Sequence, residues 1–135
     1  MVRVRVRYEG DLRAEAMHEP SSSRLATDAP RDNEGRGESF SPTDLVATAL
    51  GSCMLTIMGI VARRHEWPLE GAEVTVDKEM VADPQRRIGR LVVRFSLPDL
   101  PAEARAPLER AALSCPVHHS LHPSTEVDVD FGWPA

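Results

Sequence analysis

Cysteine is scarce in this chain of 135 residues: there are two, Cys53 and Cys115. Two thiols so far apart do not make the disulfide framework of a small secreted domain. An apolar signal region is also missing at the start. Met1 to Gly10 (MVRVRVRYEG) alternates valine with charge, so the protein is expected in the cytoplasm, where a permanent disulfide is not expected. Positive charge is in deficit. Lys plus Arg number 16 against 21 Asp plus Glu, a net charge of -5, which disfavours nonspecific binding to nucleic acid or to an acidic membrane. No glycine-rich phosphate loop, nucleophile elbow or metalloprotease helix motif occurs, so no cofactor is implied. Nothing repeats and no linker intervenes. One domain over 1–135 is expected, able to bury roughly two-thirds of its unfolded surface without metal or disulfide.

What is present in excess is one uncharged run. Leu45 to Ala62 (LVATALGSCMLTIMGIVA) holds 18 residues without a charge, the lower limit for a membrane span. Two Gly, two Thr, one Ser and one Cys interrupt it, Asp44 and Arg63-Arg64 flank it, and no second stretch resembles it. The reading is a soluble protein whose core helix, or whose helix at a dimer interface, is apolar on nearly all faces. No membrane is expected as a partner.

Patterning along the chain predicts the other elements. Val2, Val4, Val6 and Tyr8 alternate with Arg3, Arg5 and Arg7, a strand of period two that ends at a Gly10-Asp11 turn. Leu12 to Glu19 reads as the return strand and Arg24 to Asp28 as a third. Ala29 to Ser39 (APRDNEGRGES) reads as a surface loop. Ser41 suits a helix N-cap, Pro42 the first helical position, and Asp44 the third position of a capping box. The helix is expected to run to about His65, a rod of roughly 36 Å. Strands follow at Ala72 to Val81 and Ile88 to Leu97, joined across Asp83-Pro84. A helix begins after Pro101, carries Pro107 in its first turns, and ends near Ser114 because Pro116 disfavours helix in the residue before it. A short turn over Val117 to Leu121 and a strand over Thr125 to Phe131, with Val127, Val129 and Phe131 inward, complete the list. The order predicts an α+β fold, with an antiparallel sheet on which the long helix packs.

The cysteines admit three readings. As small hydrophobes they fill a core, since Leu50-Gly51-Ser52 precede Cys53 and Ala111-Ala112-Leu113 lie just before Cys115. As a redox pair, Cys53 attacks a peroxide as thiolate and Cys115 resolves the resulting sulfenic acid. As metal ligands, Cys115, His118, His119 and His122 fall within eight residues (CPVHHSLH), with Cys53 or His65 to complete a tetrahedron. That spacing matches no standard zinc pattern and Pro116 and Pro123 interrupt it, so no metal is expected. The redox reading needs a cation. Cys53 is three turns into its helix, beyond the reach of the helix dipole. Arg63 and Arg64, ten and eleven residues on, are roughly 15 Å away along the axis. Arg13 is the foremost remaining candidate, followed by the histidines near Cys115.

Two segments also carry a family resemblance. Ser41 to Cys53 (SPTDLVATALGSC) is a proline-started helix with an acidic position, a leucine, small residues and then the first cysteine. Ala111 to Val117 (AALSCPV) surrounds the second. Both resemble the OsmC/Ohr family, the osmotically inducible and organic hydroperoxide resistance proteins, and the order of strands and helices agrees over essentially the whole chain. The resemblance implies an intertwined homodimer in which long helices of both chains pack between sheets and each active site draws on both chains. It implies a thiol peroxidase for organic hydroperoxides in oxidative-stress defence, with Cys53 peroxidatic, Cys115 resolving, and recycling by a dithiol such as a lipoylated protein. The best-studied branches carry a glutamate ten residues before the first cysteine, orienting an arginine; here that position is Thr43, with Asp44 beside it. Arg13 and Asp44 are the residues expected to support the thiolate. Asp44 is nine residues before Cys53, ~13.5 Å and about 180° away on a helix, which also suits it to cap that helix. The alternative is a non-catalytic module of the same fold holding a metal or a small apolar ligand.

Overall fold

The computed structural model describes residues 1–135. The chain forms two compact units, Met1–Val46 and Ala47–Ala135.

The first unit is a meander of β1 (Val4–Gly10), β2 (Arg13–His18) and β3 (Ser23–Asp28), antiparallel throughout. Asp11 and Leu12 turn the first hairpin with φ of 52° and 62°. Positive φ at both central residues is what a two-residue hairpin turn needs to match strand twist. The alternation read from the sequence is realised. Val6 lies opposite Ala16, which lies opposite Leu25, so valine, alanine and leucine share one face. That face is uncovered in the single chain, with Val6 and Tyr8 each 67% exposed. Residues 29–40 then fold back on the end of β3. The Asp28 N–H donates to the Phe40 carbonyl (3.0 Å) and the Gly37 N–H to the Ala29 carbonyl (3.1 Å). A Cβ on Gly35 would sit 1.8 Å from the Ala29 oxygen, so only glycine fits there.

The long helix α1 (Pro42–Arg64) starts as its sequence indicates. The Asp44 N–H donates to Ser41 Oγ (3.1 Å) and the Ser41 N–H donates to Asp44 Oδ2 (2.9 Å), a closed capping box. At the other end Glu66 takes a left-handed φ of 58°, and the Trp67 N–H returns to the Ala62 carbonyl (2.9 Å).

In the second unit α1 buries one stripe, Ala47, Leu50, Gly51, Met54, Met58 and Ala62, spaced three or four apart. It packs with Leu91, Val93 and Phe95 of a sheet made of β4 (Glu73–Val81), β5 (Arg87–Ser96) and β6 (Glu126–Gly132). Helix backbone and sheet lie close at Gly51, where an added Cβ would be 3.0 Å from Val76 Cγ2 and 3.1 Å from Val74 Cγ1. Ala104, Leu108, Ala111 and Ala112 of α2 (Ala102–Leu113) complete the core, and Val127, Val129 and Phe131 pack against it as expected.

The α+β class with more than one sheet holds, and the pairing differs from expectation in one respect. There are two three-stranded sheets, and in the second β6 runs parallel to β5, with Leu91 opposite Val127 and Phe95 opposite Phe131. The reason is the crossover. A parallel partner needs a connection long enough to return to the starting edge, and α2 with α3 (Pro116–Ser120) supplies it.

The opposite face of α1 carries no charge between Thr48 and Ile60, and Thr48, Ala49, Ser52, Thr56 and Ile60 are exposed. The helix is long and apolar enough to cross a membrane, and 33% of its most apolar window is buried within the chain. One chain therefore covers one stripe of this helix and leaves another open.

Met54 is fully buried, so Met54→Ala is expected to lower unfolding free energy by ~2–5 kcal/mol through lost apolar burial and the cavity left behind. Thr56→Ala on the open face is expected to change it by less than about 0.5 kcal/mol. Urea titrations of the two variants check the difference.

Candidate functional site

Both cysteines belong to the second unit. Cys53 precedes Met54 on α1, at the flank of the buried stripe, and is half-buried for that reason. Cys115 stands between α2 and α3. The α2 helix closes where the Ser114 and Cys115 N–H groups donate to the Ala111 (3.1 Å) and Ala112 (3.3 Å) carbonyls. Pro116 then imposes extended backbone on the residue before it, and Cys115 has φ −62° and ψ 133°. That conformation makes Cys115 the N-cap of α3, its Sγ accepting the His118 N–H at 3.2 Å.

The fold brings the two thiols together. Cys115 is fully buried, and the Cys53 side chain is within hydrogen-bonding reach of it. Burial pushes the Cys115 thiol above its ordinary pKa; the His118 N–H opposes this, and the neighbouring Cys53 adds to it. Both cysteines are free. The pair is unequal: Cys53 is half-buried, while Cys115 is enclosed and its thiol is held in the protonated form. Oxidation of Cys53 would place an electrophilic sulfur beside the Cys115 thiol.

The other expected site residues lie in the first unit. Arg13 opens β2 directly opposite Asp28 of β3. Its Nη2 is 2.9 Å from Glu38 Oε1 and 3.7 Å from Asp28 Oδ2, and Arg36 Nη1 is 3.8 Å from the same Glu38 oxygen. Asp44 is engaged in the capping box, and Thr43 Oγ1 lies 3.3 Å from Ser41 Oγ at the same helix start. Sequence reasoning missed Asp28 and Glu38. The only signal for them was the length of the second hairpin, which sets Asp28 across from Arg13 once the β2–β3 register is known.

Of the histidines near Cys115, His118 keeps a buried Nδ1 without a hydrogen-bond partner. His118 and His119 rings stack with centroids 5.7 Å apart, and His122 Nδ1 pairs with Ser124 Oγ at 2.7 Å. No group of three or more His, Cys, Asp or Glu side chains is arranged to hold a metal ion. A groove of about 770 Å³ runs along the last turns of α1, between Leu55, Ile60, Trp67 and Leu69, and neither cysteine lines it.

Known proteins share this architecture. A family model described as OsmC-like protein matches residues 35–130. A crystal structure from Psychrobacter arcticus 273-4, of a protein named for an osmotic stress induced and detoxification response, superposes with a TM-score of 0.91 at 44% identity, over 97% of this chain and 96% of that one. An organic hydroperoxide resistance protein OsmC from Legionella pneumophila superposes with a TM-score of 0.79 at 18% identity, over 98% and 97%. OhrB, the organic hydroperoxide resistance protein of Bacillus subtilis, gives 0.69 at 20% identity, over 97% of each chain. The last two identities speak for the fold alone. No curated protein sequence matches the chain.

The unequal thiols generate a prediction. Because the Cys115 pKa is raised in the folded chain, its proton is held more tightly than in the unfolded chain, where thiols titrate near ~8.5. This contribution to stability is complete below that pH and is lost as pH climbs through the folded-state value. Reduced protein is expected to lose unfolding free energy over that alkaline window, and Cys115→Ala to lack this component of the loss, as measured by urea unfolding against pH. At neutral pH iodoacetamide is expected to label Cys53 well before Cys115, read by peptide mass mapping.

Proposed function

The chain belongs to the OsmC-like protein family, and from that premise we propose that it is a thiol-dependent peroxidase reducing organic hydroperoxides to alcohols. The observation that carries the reading is the contact between a half-buried Cys53 and an enclosed Cys115. The Cys53 thiolate attacks the distal oxygen of the hydroperoxide. The O–O bond breaks, the alkoxide leaves and takes up a proton as the alcohol, and sulfur keeps the distal oxygen as sulfenic acid. Cys115 then attacks that sulfur, an S–S bond forms, and the oxygen leaves as water with the thiol proton. A dithiol such as a lipoylated protein restores both thiols by exchange, itself becoming a disulfide. Burial keeps Cys115 protonated and shielded from peroxide, which leaves the first attack to Cys53.

Arg13 supplies the cation that favours the Cys53 thiolate in this reading, since the uncharged run around Cys53 offers none. Asp44 acts at one remove, by fixing the start of the helix that carries Cys53. The working form is an intertwined homodimer in the cytoplasm, serving defence against oxidative stress. Two open apolar surfaces support a second copy: the β1–β3 face with Val4, Val6, Tyr8 and Leu25 exposed, and the uncharged exposed side of α1. Exposed faces of this kind are ordinarily covered by a partner.

One equivalent of an alkyl hydroperoxide is expected to convert both thiols to a Cys53–Cys115 disulfide, seen by mass spectrometry, with catalytic turnover when dihydrolipoamide is supplied. Cys53→Ser is expected to reduce that turnover to background, and Cys115→Ser to accumulate sulfinic acid at Cys53. Both thiols remaining free would reject the peroxidase and leave the non-catalytic binding module. Sedimentation equilibrium is expected to give a dimer, and Val6→Glu combined with Tyr8→Glu to shift it toward monomer.

A further inference from the structure

The third helix is short and weakly held. α3 is five residues long with no fully buried residue, and Cys115 Sγ is the side-chain atom that caps it, accepting the His118 N–H at 3.2 Å. Besides that cap, the His119 N–H donates to the Cys115 carbonyl (3.2 Å), the Leu121 N–H to the His118 carbonyl (3.3 Å), and Ser120 Oγ to the Pro116 carbonyl (2.8 Å). Val117 and Leu121 rest against the core only half-buried. His118 keeps its buried Nδ1 without a partner, which costs free energy for as long as the ring is enclosed. A single helical turn has little stability of its own, so an element of this kind depends on its cap. That cap is also one of the two thiols. Cys115 Sγ serves two neighbours at once, the His118 N–H that follows it in the chain and the Cys53 side chain on α1.

We infer that Cys115 is a redox-released helix cap: formation of a Cys53–Cys115 disulfide withdraws its sulfur from the His118 N–H and loosens residues 116–122. The two thiols give up two protons and two electrons to the oxidant, and one S–S bond replaces two S–H bonds. That bond is ~2.05 Å long, shorter than any hydrogen-bonding contact between sulfurs, so the two atoms must close on each other. Their supports differ in stiffness. The helix that carries Cys53 is anchored on both sides of it by the fully buried Leu50 and Met54, whereas α3 buries no residue completely. The movement is therefore taken up where α3 begins, and the His118 N–H becomes one more unsatisfied donor of a first helical turn. Loosening makes the surface over residues 116–122 differ between the oxidised and the reduced chain, so a dithiol reductant meets its substrate form with this segment open. The uncapping rests on the thiol contact alone; its use by a reductant rests on the peroxidase reading.

Hydrogen exchange read by peptide mass spectrometry tests this on the full-length protein, reduced and after treatment with diamide, whose N=N group takes up the two electrons and two protons to become a hydrazine. Peptides covering 116–124 are expected to exchange about fivefold faster in the disulfide form, the gain in local opening that loss of one helix cap allows, and peptides covering 50–58 to be unchanged. Cys115→Ser keeps an atom that caps and that diamide does not oxidise, so it is expected to stay protected with and without diamide. Cys115→Ala has no cap in either condition and is expected to match oxidised wild type. Circular dichroism confirms that it is folded; should it not fold, the two forms of wild type decide the matter alone. Equal or slower exchange over 116–124 in the disulfide form overturns the inference, as does a response of Cys115→Ser to diamide as large as that of wild type, or a failure of diamide to join the two thiols. A parallel oxidation with tert-butyl hydroperoxide separates the two readings: a disulfide with diamide but none with the hydroperoxide rejects the peroxidase and leaves the redox-released cap standing.

Discussion

The contact between the two thiols depends on α1 lying along the β4–β5–β6 sheet with one stripe buried. Leu50, Met54 and Met58 are fully enclosed against Leu91 and Val93, and Gly51 lets the helix approach β4 to within van der Waals distance of Val74 and Val76. Cys53 has its place because it is next to that stripe and not in it. A rotation of the helix by one residue would bury Cys53 in the place of Met54 and move Met54 out of the fully enclosed stripe, losing apolar burial. Core packing and access to the reactive sulfur are therefore set by the same helix rotation.

Proline sets the second half of the pair. Pro116 stops α2, forces Cys115 into extended backbone and starts α3, so the cysteine becomes a cap whose sulfur accepts the His118 N–H. Three consequences of one residue coincide at a single atom: a fixed direction, full burial, and a hydrogen-bond donor that tempers the effect of burial on its acidity. The helix that follows is only five residues long, so its dipole adds little beyond that one N–H.

Charge is kept out of the run of α1 that carries Cys53. The uncharged run of α1 keeps Cys53 free of local ion pairs, and the Arg13, Asp28 and Glu38 group is built on a separate hairpin and loop. The same lack of charge leaves the open side of α1 and the Val6–Tyr8 face fit for burial against another chain. An apolar helix too long for one sheet to cover and a sheet with no layer over its apolar face are two forms of the same deficit.

Local signals were legible in the sequence. The capping box of Ser41 and Asp44, the hairpin ending at Gly10-Asp11, the stop of α2 before Pro116 and the inward set Val127, Val129 and Phe131 all depend on residues within a few positions of each other. The parallel pairing of β5 with β6, the Arg13 to Asp28 register and the meeting of Cys53 with Cys115 were decided only by the tertiary structure. Periodicity determines which face of an element is apolar, but a strand of one pattern pairs equally well with either neighbour and in either direction. That choice follows from how the crossover helices bury their own stripes, a balance of contacts between residues distant in the chain.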